Sequence, residues 1–460
     1  MRGRVVAVQA ARFLGFLAAV VALQVARGAY GAELSGADEP AHFVTALLIR
    51  DYVSQGLPAS PLAYAENYYL HYPKVAFGMW PPVFHTTAAA WMLILPATVS
   101  SVRVLIAIVT AVAALLVTRL VEDDIGWRRA VAIGLAFVVL PHVQVVTQQV
   151  MVDGLVVALG VAAALAWRRY GRTGSARHAV VFGALGSAAM LTKGNGVALL
   201  GLPFVWAAIA GRWGILGRAA TWYGLGLMLV LGGPWQLYSA GLLSRTVIRE
   251  GASGTLLTRA SAYGSYLVQG AGPIVVAVAV AGALVLAVHR LRHRSVPEAW
   301  ATPAALGLSV LAFHVVLPQP PNVRYLLPAL PVVLWLAVRG VDAAVRVLPA
   351  RARGPVTAAA LLALALDVGL AAARLEPRTH HGIGEIADWV LTRPAGVVLV
   401  SDGDAGVNTS GMFIAELAVR EARPGHVILR ANQTLSSSSW DGEDRRMLQE
   451  SAEQVAAFLA

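Results

Sequence analysis

An adjacent pair of carboxylates, Asp38-Glu39, follows the first apolar run of a chain with only 25 acidic residues among 460. A carboxylate so placed can act as a general base, taking the proton of an attacking hydroxyl; its plainer reading is a cap for the helix that follows. His42 lies three and four residues further on, on the same helical face. A Glu-x-x-His pair is one way for a helix to hold a metal, so Asp38, Glu39, His42 and Asp153 are candidate ligands for a possible divalent ion. Of the 36 basic residues only two are Lys, Lys74 and Lys193. A compact ammonium with three donors suits a phosphate at a crowded site, although two residues also fall on one side by chance. Arg324, in a proline-rich loop and followed by Tyr325, could bind the same phosphate. His71 and Trp80 complete the candidate set.

Composition determines the setting of these residues. The chain is 57% apolar and 13% charged, with a mean hydropathy of +0.65, against about 25% charged residues in a soluble protein. Apolar runs recur from Arg12 to Arg374, bounded by charges or Gly/Pro, and read as transmembrane helices. The net charge of +11 resides in short Arg-rich loops between these runs, where it orients membrane segments; nucleic-acid binding is not expected. The chain contains no Cys, which excludes disulfides and thiolate metal sites.

The hydropathy pattern predicts eleven spans, near 12–30, 101–120, 130–149, 154–167, 179–192, 196–210, 219–238, 270–288, 300–317, 325–346 and 355–373. With the N-terminus inside, every Arg cluster falls on the cytoplasmic side: Arg128/Arg129, Arg168 to Arg177, Arg212/Arg218, Arg290 to Arg294 and Arg346 to Arg353. Residues 83–99 are apolar enough to span, but counting them would reverse all later loops. They read instead as an interfacial or re-entrant helix. Ala29-Tyr30-Gly31-Ala32 could pass for a cleavage site; a retained first helix is expected.

On this topology residues 31–100 form a long extracytoplasmic loop. Within it Pro40–Gln55, with Phe43, Leu47 and Leu48, is expected as an amphipathic helix lying on the membrane, preceded by Asp38 and Glu39. The site candidates Asp38, Glu39, His42, His71, Lys74, Asp153, Lys193 and Arg324 all face this outer side. Asp367 and His314 lie deeper and read as bundle packing or snorkelling. Tyr68, Tyr69, Tyr72, Trp80 and Trp91 read as an interfacial belt, with sugar stacking as the alternative.

Residues 376–460 regain soluble composition and predict a small extracytoplasmic α/β domain distinct from the transmembrane region 1–375. It has strands at 397–400 and 426–429 and a helix at 411–421. The chain ends on an apparent helix, so a truncated domain is one reading. The Gly-rich stretch Asp402–Gly411 could cradle a phosphate, or simply connect strand to helix. Ser436–Ser439 is the one low-complexity segment.

These residues, in this order, resemble the C-type membrane glycosyltransferases that use polyprenyl-phosphate sugars, notably the dolichyl-phosphate-mannose protein mannosyltransferases and the lipid A aminoarabinose transferases. The stretches that carry the resemblance are DEPAHF at 38–43, WPPVFH at 80–85, VMVDGLV at 150–156, MLTKGNG at 190–196, GPWQLY at 233–238 and RYLLPALP at 324–331. The resemblance implies an all-α transmembrane bundle with Asp38 as the base, Asp153 near the donor or a metal, and Lys193 and Arg324 around the donor phosphate. The lipid A transferases carry Lys where this chain has Trp80-Pro81, and Lys74 is the candidate substitute. The implied partners are a polyprenyl-phosphate sugar donor, membrane lipid, and a glycan, lipid or protein acceptor. Two rival classes are a lipid-linked-sugar transporter or flippase, which should place broken polar helices at mid-membrane in two repeated halves, and a catalytically silent lipid-binding protein of the same fold.

Overall fold

The computed structural model describes residues 2–76, 78–246, 255–317, 321–401, 409–421, 424–437, 446–449 and 451–459. The chain is mostly helical. Among the described residues, five helices are long and apolar enough to cross a membrane: Val5–Ala26, Val99–Ile125, Pro273–His293, Glu298–Val316 and Ala350–Ala373. A sixth span is obtained if Trp127–Val139 and Pro141–Thr147 are counted as one broken segment. The eleven-span expectation also counts shorter or more polar helices, such as Asp153–Thr173, Ala176–Met190 and Ala219–Thr246.

Two expected spans are interrupted. The segment 130–149 bends by 62° between Val139 and Pro141, because Pro141 supplies no N–H and forces Leu140 out of the helical region, to φ −51 and ψ 136. The segment 196–210 begins as the 3-10 turn Gly194–Leu200 and becomes α-helical only from Leu202, with Pro203 in its first turn. The segment 83–99 forms a helix only over Val83–Ile94. Its twelve residues reach about 18 Å, short of the ~30 Å hydrocarbon core.

The helix expected to lie on the membrane differs in both register and setting. It runs from Asp38 to Ser54, so the two carboxylates are its first residues. Glu39 through Leu48 are buried on every face, covered by the Val83–Ile94 helix on one side and by Thr409–Arg420 on another. Phe43, Leu47 and Leu48 therefore pack into protein rather than into the bilayer interface.

Apolar packing is organised in two clusters. One joins the membrane-type helices around Trp167, Trp206 and Trp335. The other joins the 31–100 loop to the C-terminal segment through Phe43, Leu47, Phe84, Met412, Ile414 and Ile428. In that segment Val397–Val400 pairs in parallel with Val427–Arg430, in the register Val397 to Val427, beside the helices Ile383–Leu391 and Thr409–Arg420. A short antiparallel pair, Ser436–Ser437 with Arg446–Met447, was not expected from the sequence. The Gly-rich stretch at 402–408 lies outside the described residues, as do 318–320 and Ser438-Ser439. Asp367 has a definite packing role: its Oδ2 accepts the backbone N–H groups of Ile274 and Val275 at 3.0 and 3.1 Å. It thereby caps the Pro273–His293 helix from a neighbouring one.

Candidate active site

The four charged candidates come from the beginnings of four elements. Asp38 opens the Asp38–Ser54 helix, and Asp153 opens Asp153–Thr173, positions where partial positive charge favours a carboxylate. Lys193 immediately precedes the turn Gly194–Leu200. Arg324 sits in the turn Val323–Leu326, whose start is fixed by Asn322 accepting the Arg324 N–H at 3.0 Å.

These elements are held together by contacts between the motif stretches themselves. The Val83 N–H donates to the Leu191 carbonyl at 2.9 Å, and Gln236 donates to the Met190 carbonyl at 2.8 Å. The Val150 N–H donates to Glu39 at 2.9 Å. WPPVFH, MLTKGNG and GPWQLY are thus joined around one place, as are DEPAHF and VMVDGLV.

There Arg324 donates to Asp38 Oδ2 at 2.7 Å, and Lys193 donates to Asp153 Oδ1 at 2.6 Å. Asp153 is 2% exposed, and its Oδ2 has no hydrogen-bond partner among the described residues. A buried carboxylate oxygen left unsatisfied is costly. The Lys193 ammonium lies 5.1 Å from the Tyr325 ring centroid, and that ring stacks on His314 at 5.2 Å. Burial lowers the Arg324 pKa, but Asp153 and Asp38 outweigh it and raise the value overall, so the guanidinium stays charged.

His42 forms the neighbouring wall. Its ring stands 4.0 Å from that of Trp80, and its Nδ1 lies 3.0 Å from Nε2 of His85. Burial, then His85, Lys193 and Arg324, push the His42 pKa well below the usual imidazole range, so it is neutral. Asp38, His42, Trp80, Asp153, Lys193, Arg324 and Tyr325 therefore lie together in one place.

Three candidates are placed elsewhere. Glu39 is not available as a base or metal ligand. Its Oε1 accepts from Arg103 at 3.0 Å and from the Val150 N–H. Its Oε2 accepts from Arg378 at 2.8 Å and from the Ser35 N–H at 2.9 Å. Although burial raises its pKa, Arg103 and Arg378 hold it below the usual carboxylate value. Glu39 is thus a buried structural anion. His71 is bonded through Nδ1 to the His426 carbonyl at 2.8 Å and fastens its helix to the C-terminal segment. Lys74 sits half-buried in the turn after the Pro61–His71 helix, its N–H on the Tyr72 carbonyl.

Sequence reasoning missed Arg103, Arg378 and the role of His85. Arg103 carried one signal: it is an ionisable residue inside an expected span, at its outer end. His85 closes the WPPVFH stretch. No comparable signal marks Arg378. With Glu39 engaged by two arginines, the expected Glu-x-x-His pair is not formed. The described residues hold no group of three metal-ligating side chains.

The fold is similar to that of solved membrane glycosyltransferases. ArnT from Cupriavidus metallidurans bound to undecaprenyl phosphate matches with a TM-score of 0.61 at 16% identity, over 91% of this chain and 85% of that one. The Archaeoglobus fulgidus oligosaccharyltransferase in its apo form matches with a TM-score of 0.62 at 14% identity, over 90% and 64%. The archaeal oligosaccharyltransferase AglB from the same organism, in complex with an inhibitory peptide and a dolichol-phosphate, matches with a TM-score of 0.59 at 14% identity. No family model matches the chain, and no curated protein does. At these identities the likeness is one of fold, the C-type glycosyltransferase fold that the motifs lead one to expect.

Proposed function

We propose that the chain is an integral membrane glycosyltransferase that moves a sugar from a polyprenyl-phosphate donor to an extracytoplasmic acceptor. The acceptor is a glycan, lipid or protein. The observation that carries this reading is the cluster of Arg324 and Lys193 with Asp38 and Asp153, in a fold shared with a protein bound to undecaprenyl phosphate.

In this reading the donor phosphate lies between Arg324 and Lys193. Breaking the bond between the anomeric carbon and the phosphate oxygen leaves the electron pair on the phosphate, and the two cations stabilise that charge as it develops. Asp38 takes the proton of the acceptor hydroxyl while its oxygen bonds to the anomeric carbon from the opposite face, which inverts that centre. Asp153 holds the Lys193 ammonium in place. No step is routed through a metal, because Glu39, one of the four candidate ligands for a possible divalent ion, is committed to Arg103 and Arg378.

The topology that fits has eleven spans counting short and broken ones, the N-terminus in the cytoplasm, and the site and residues 376–460 outside. The test is transfer by purified protein in lipid bilayers supplied with undecaprenyl-phosphate sugars, alongside mass spectrometry of surface glycans with and without the gene. Wild-type protein should release free undecaprenyl phosphate as the acceptor gains a sugar. Binding without turnover, with no change in surface glycans, would instead identify a silent lipid-binding protein.

A further inference from the structure

We propose that His42 presents the lone pair of its Nε2 to a hydroxyl of the donor sugar, and so helps decide which sugar is accepted. This rests on the glycosyl-transfer reading above and adds to it a residue that contacts the sugar rather than the phosphate.

The assignment follows from a chain of hydrogen bonds that can run in only one direction. His85 Nδ1 lies 3.2 Å from the Pro81 carbonyl oxygen. A carbonyl only accepts, so Nδ1 carries the proton. In a neutral imidazole the other nitrogen is then bare, and His85 Nε2 must be an acceptor. The atom facing it at 3.0 Å is His42 Nδ1, which must therefore donate. That leaves His42 Nε2 without a proton. The Pro81 carbonyl thus fixes the tautomer of a second histidine through the first.

The Nε2 atom has no hydrogen-bond partner among the described residues. Burial first, then His85, Lys193 and Arg324, oppose a positive charge on this ring, which keeps the lone pair bare. A sugar attached to a phosphate between those two cations carries hydroxyls within a few bonds of it. Hydroxyl donors are the class of group that a bare imidazole nitrogen recognises. The Trp80 ring on one side and buried Phe84 on another hold the imidazole plane in place.

Wild-type protein and the variants His42→Phe, His42→Gln and His85→Phe should be titrated with undecaprenyl phosphate and with undecaprenyl-phosphate glucose, galactose and mannose. At least one sugar-bearing lipid should bind the wild type more tightly than the bare lipid. His42→Phe should remove that advantage, about tenfold for one hydrogen bond, and leave bare-lipid binding unchanged. His42→Gln, which can offer an oxygen near the position of Nε2, should retain most of it. His85→Phe, which leaves His42 in place but frees its tautomer, should lose it. An advantage that survives in His42→Phe overturns the proposal, as does equal weakening of bare and sugar-bearing lipid. A wild type that binds none of these lipids overturns the glycosyl-transfer reading itself, and this inference with it.

Discussion

Asp38 and Arg324 meet at 2.7 Å, bringing the first turn of the Asp38–Ser54 helix against a turn 286 residues later. Both side chains keep partial access to solvent, at 30% and 26%. On the proposed reading, a phosphate arriving at Arg324 would compete with Asp38 for the same guanidinium, and the displaced carboxylate would then be available as a base. Ligand capture and base release would then share one ion pair.

Asp38→Asn separates the two roles. The amide oxygen can still accept from Arg324, but it cannot take a proton. Transfer should fall by about 10²–10⁴, the usual contribution of a general base, while undecaprenyl phosphate binding stays within a few-fold. Turnover measured beside lipid binding checks this. If binding is lost along with turnover, Asp38 belongs to the donor site and is not the base.

Arg324→Ala and Lys193→Ala should each weaken undecaprenyl phosphate binding. A hydrogen bond to a charged group contributes about 1.5–3 kcal/mol, or about 10- to 150-fold in Kd. Lys193→Arg should not restore affinity fully, because a planar guanidinium cannot replace an ammonium held at 2.6 Å from buried Asp153. Titration of the lipid at two salt concentrations would read the loss of each cation directly. Unchanged affinity in both alanine variants would remove the phosphate from this cluster.

What the sequence revealed and what it hid have separate physical causes. Asp38, Asp153, Lys193 and Arg324 could be singled out because ionisable side chains are rare in so apolar a chain and concentrate where they can pair or reach water. The helices were legible from apolar runs, but their breaks at Leu140 and across 194–201 depend on local proline and glycine conformation that hydropathy averages away. The role of Glu39 was hidden because its partners Arg103 and Arg378 stand 64 and 339 residues away. Only the fold shows that one carboxylate of the Asp38-Glu39 pair faces the cluster and the other faces buried Arg103 and partly buried Arg378. His85 was hidden likewise, since its contact with His42 joins residues 43 positions apart.

The division within that acidic pair is itself testable. Arg103 and Glu39 are 0% and 1% exposed, and Arg378 is 9% exposed. Arg103 also donates to the Glu33 carbonyl at 3.0 Å, and to the carbonyls of Ala29 and Ala32. Arg378 donates to the Gln148 carbonyl at 3.0 Å and to that of Glu33 at 2.6 Å. Glu39→Gln leaves the buried Arg103 and the largely buried Arg378 without their anion, and breaking a buried pair costs about 3–5 kcal/mol. Thermal unfolding in detergent should show a large drop for Glu39→Gln and Arg378→Ala, and little for Asp38→Asn. An unaltered unfolding temperature for Glu39→Gln, combined with lost transfer, would return Glu39 to the catalytic set.

His85 and His42, both buried, give the fold a pH limit on the acid side. Burial lowers the His85 pKa from the ordinary 6.5 to about 4, against an opposing contribution from the Pro81 carbonyl. Between those values the unfolded chain binds a proton that the folded chain refuses, so stability falls as pH drops below about 6.5 and is fully present above it. A difference of about 2.5 pH units corresponds to about 3 kcal/mol lost by pH 4. His42, held neutral by burial, His85, Lys193 and Arg324, acts in the same direction. Unfolding temperature measured from pH 7 to pH 4 should therefore decline in the wild type and decline less steeply in His85→Gln, which has no proton to gain. Identical slopes in the two proteins would mean that His85 takes up its proton in place, and the fixed tautomer of His42 would not survive in acid.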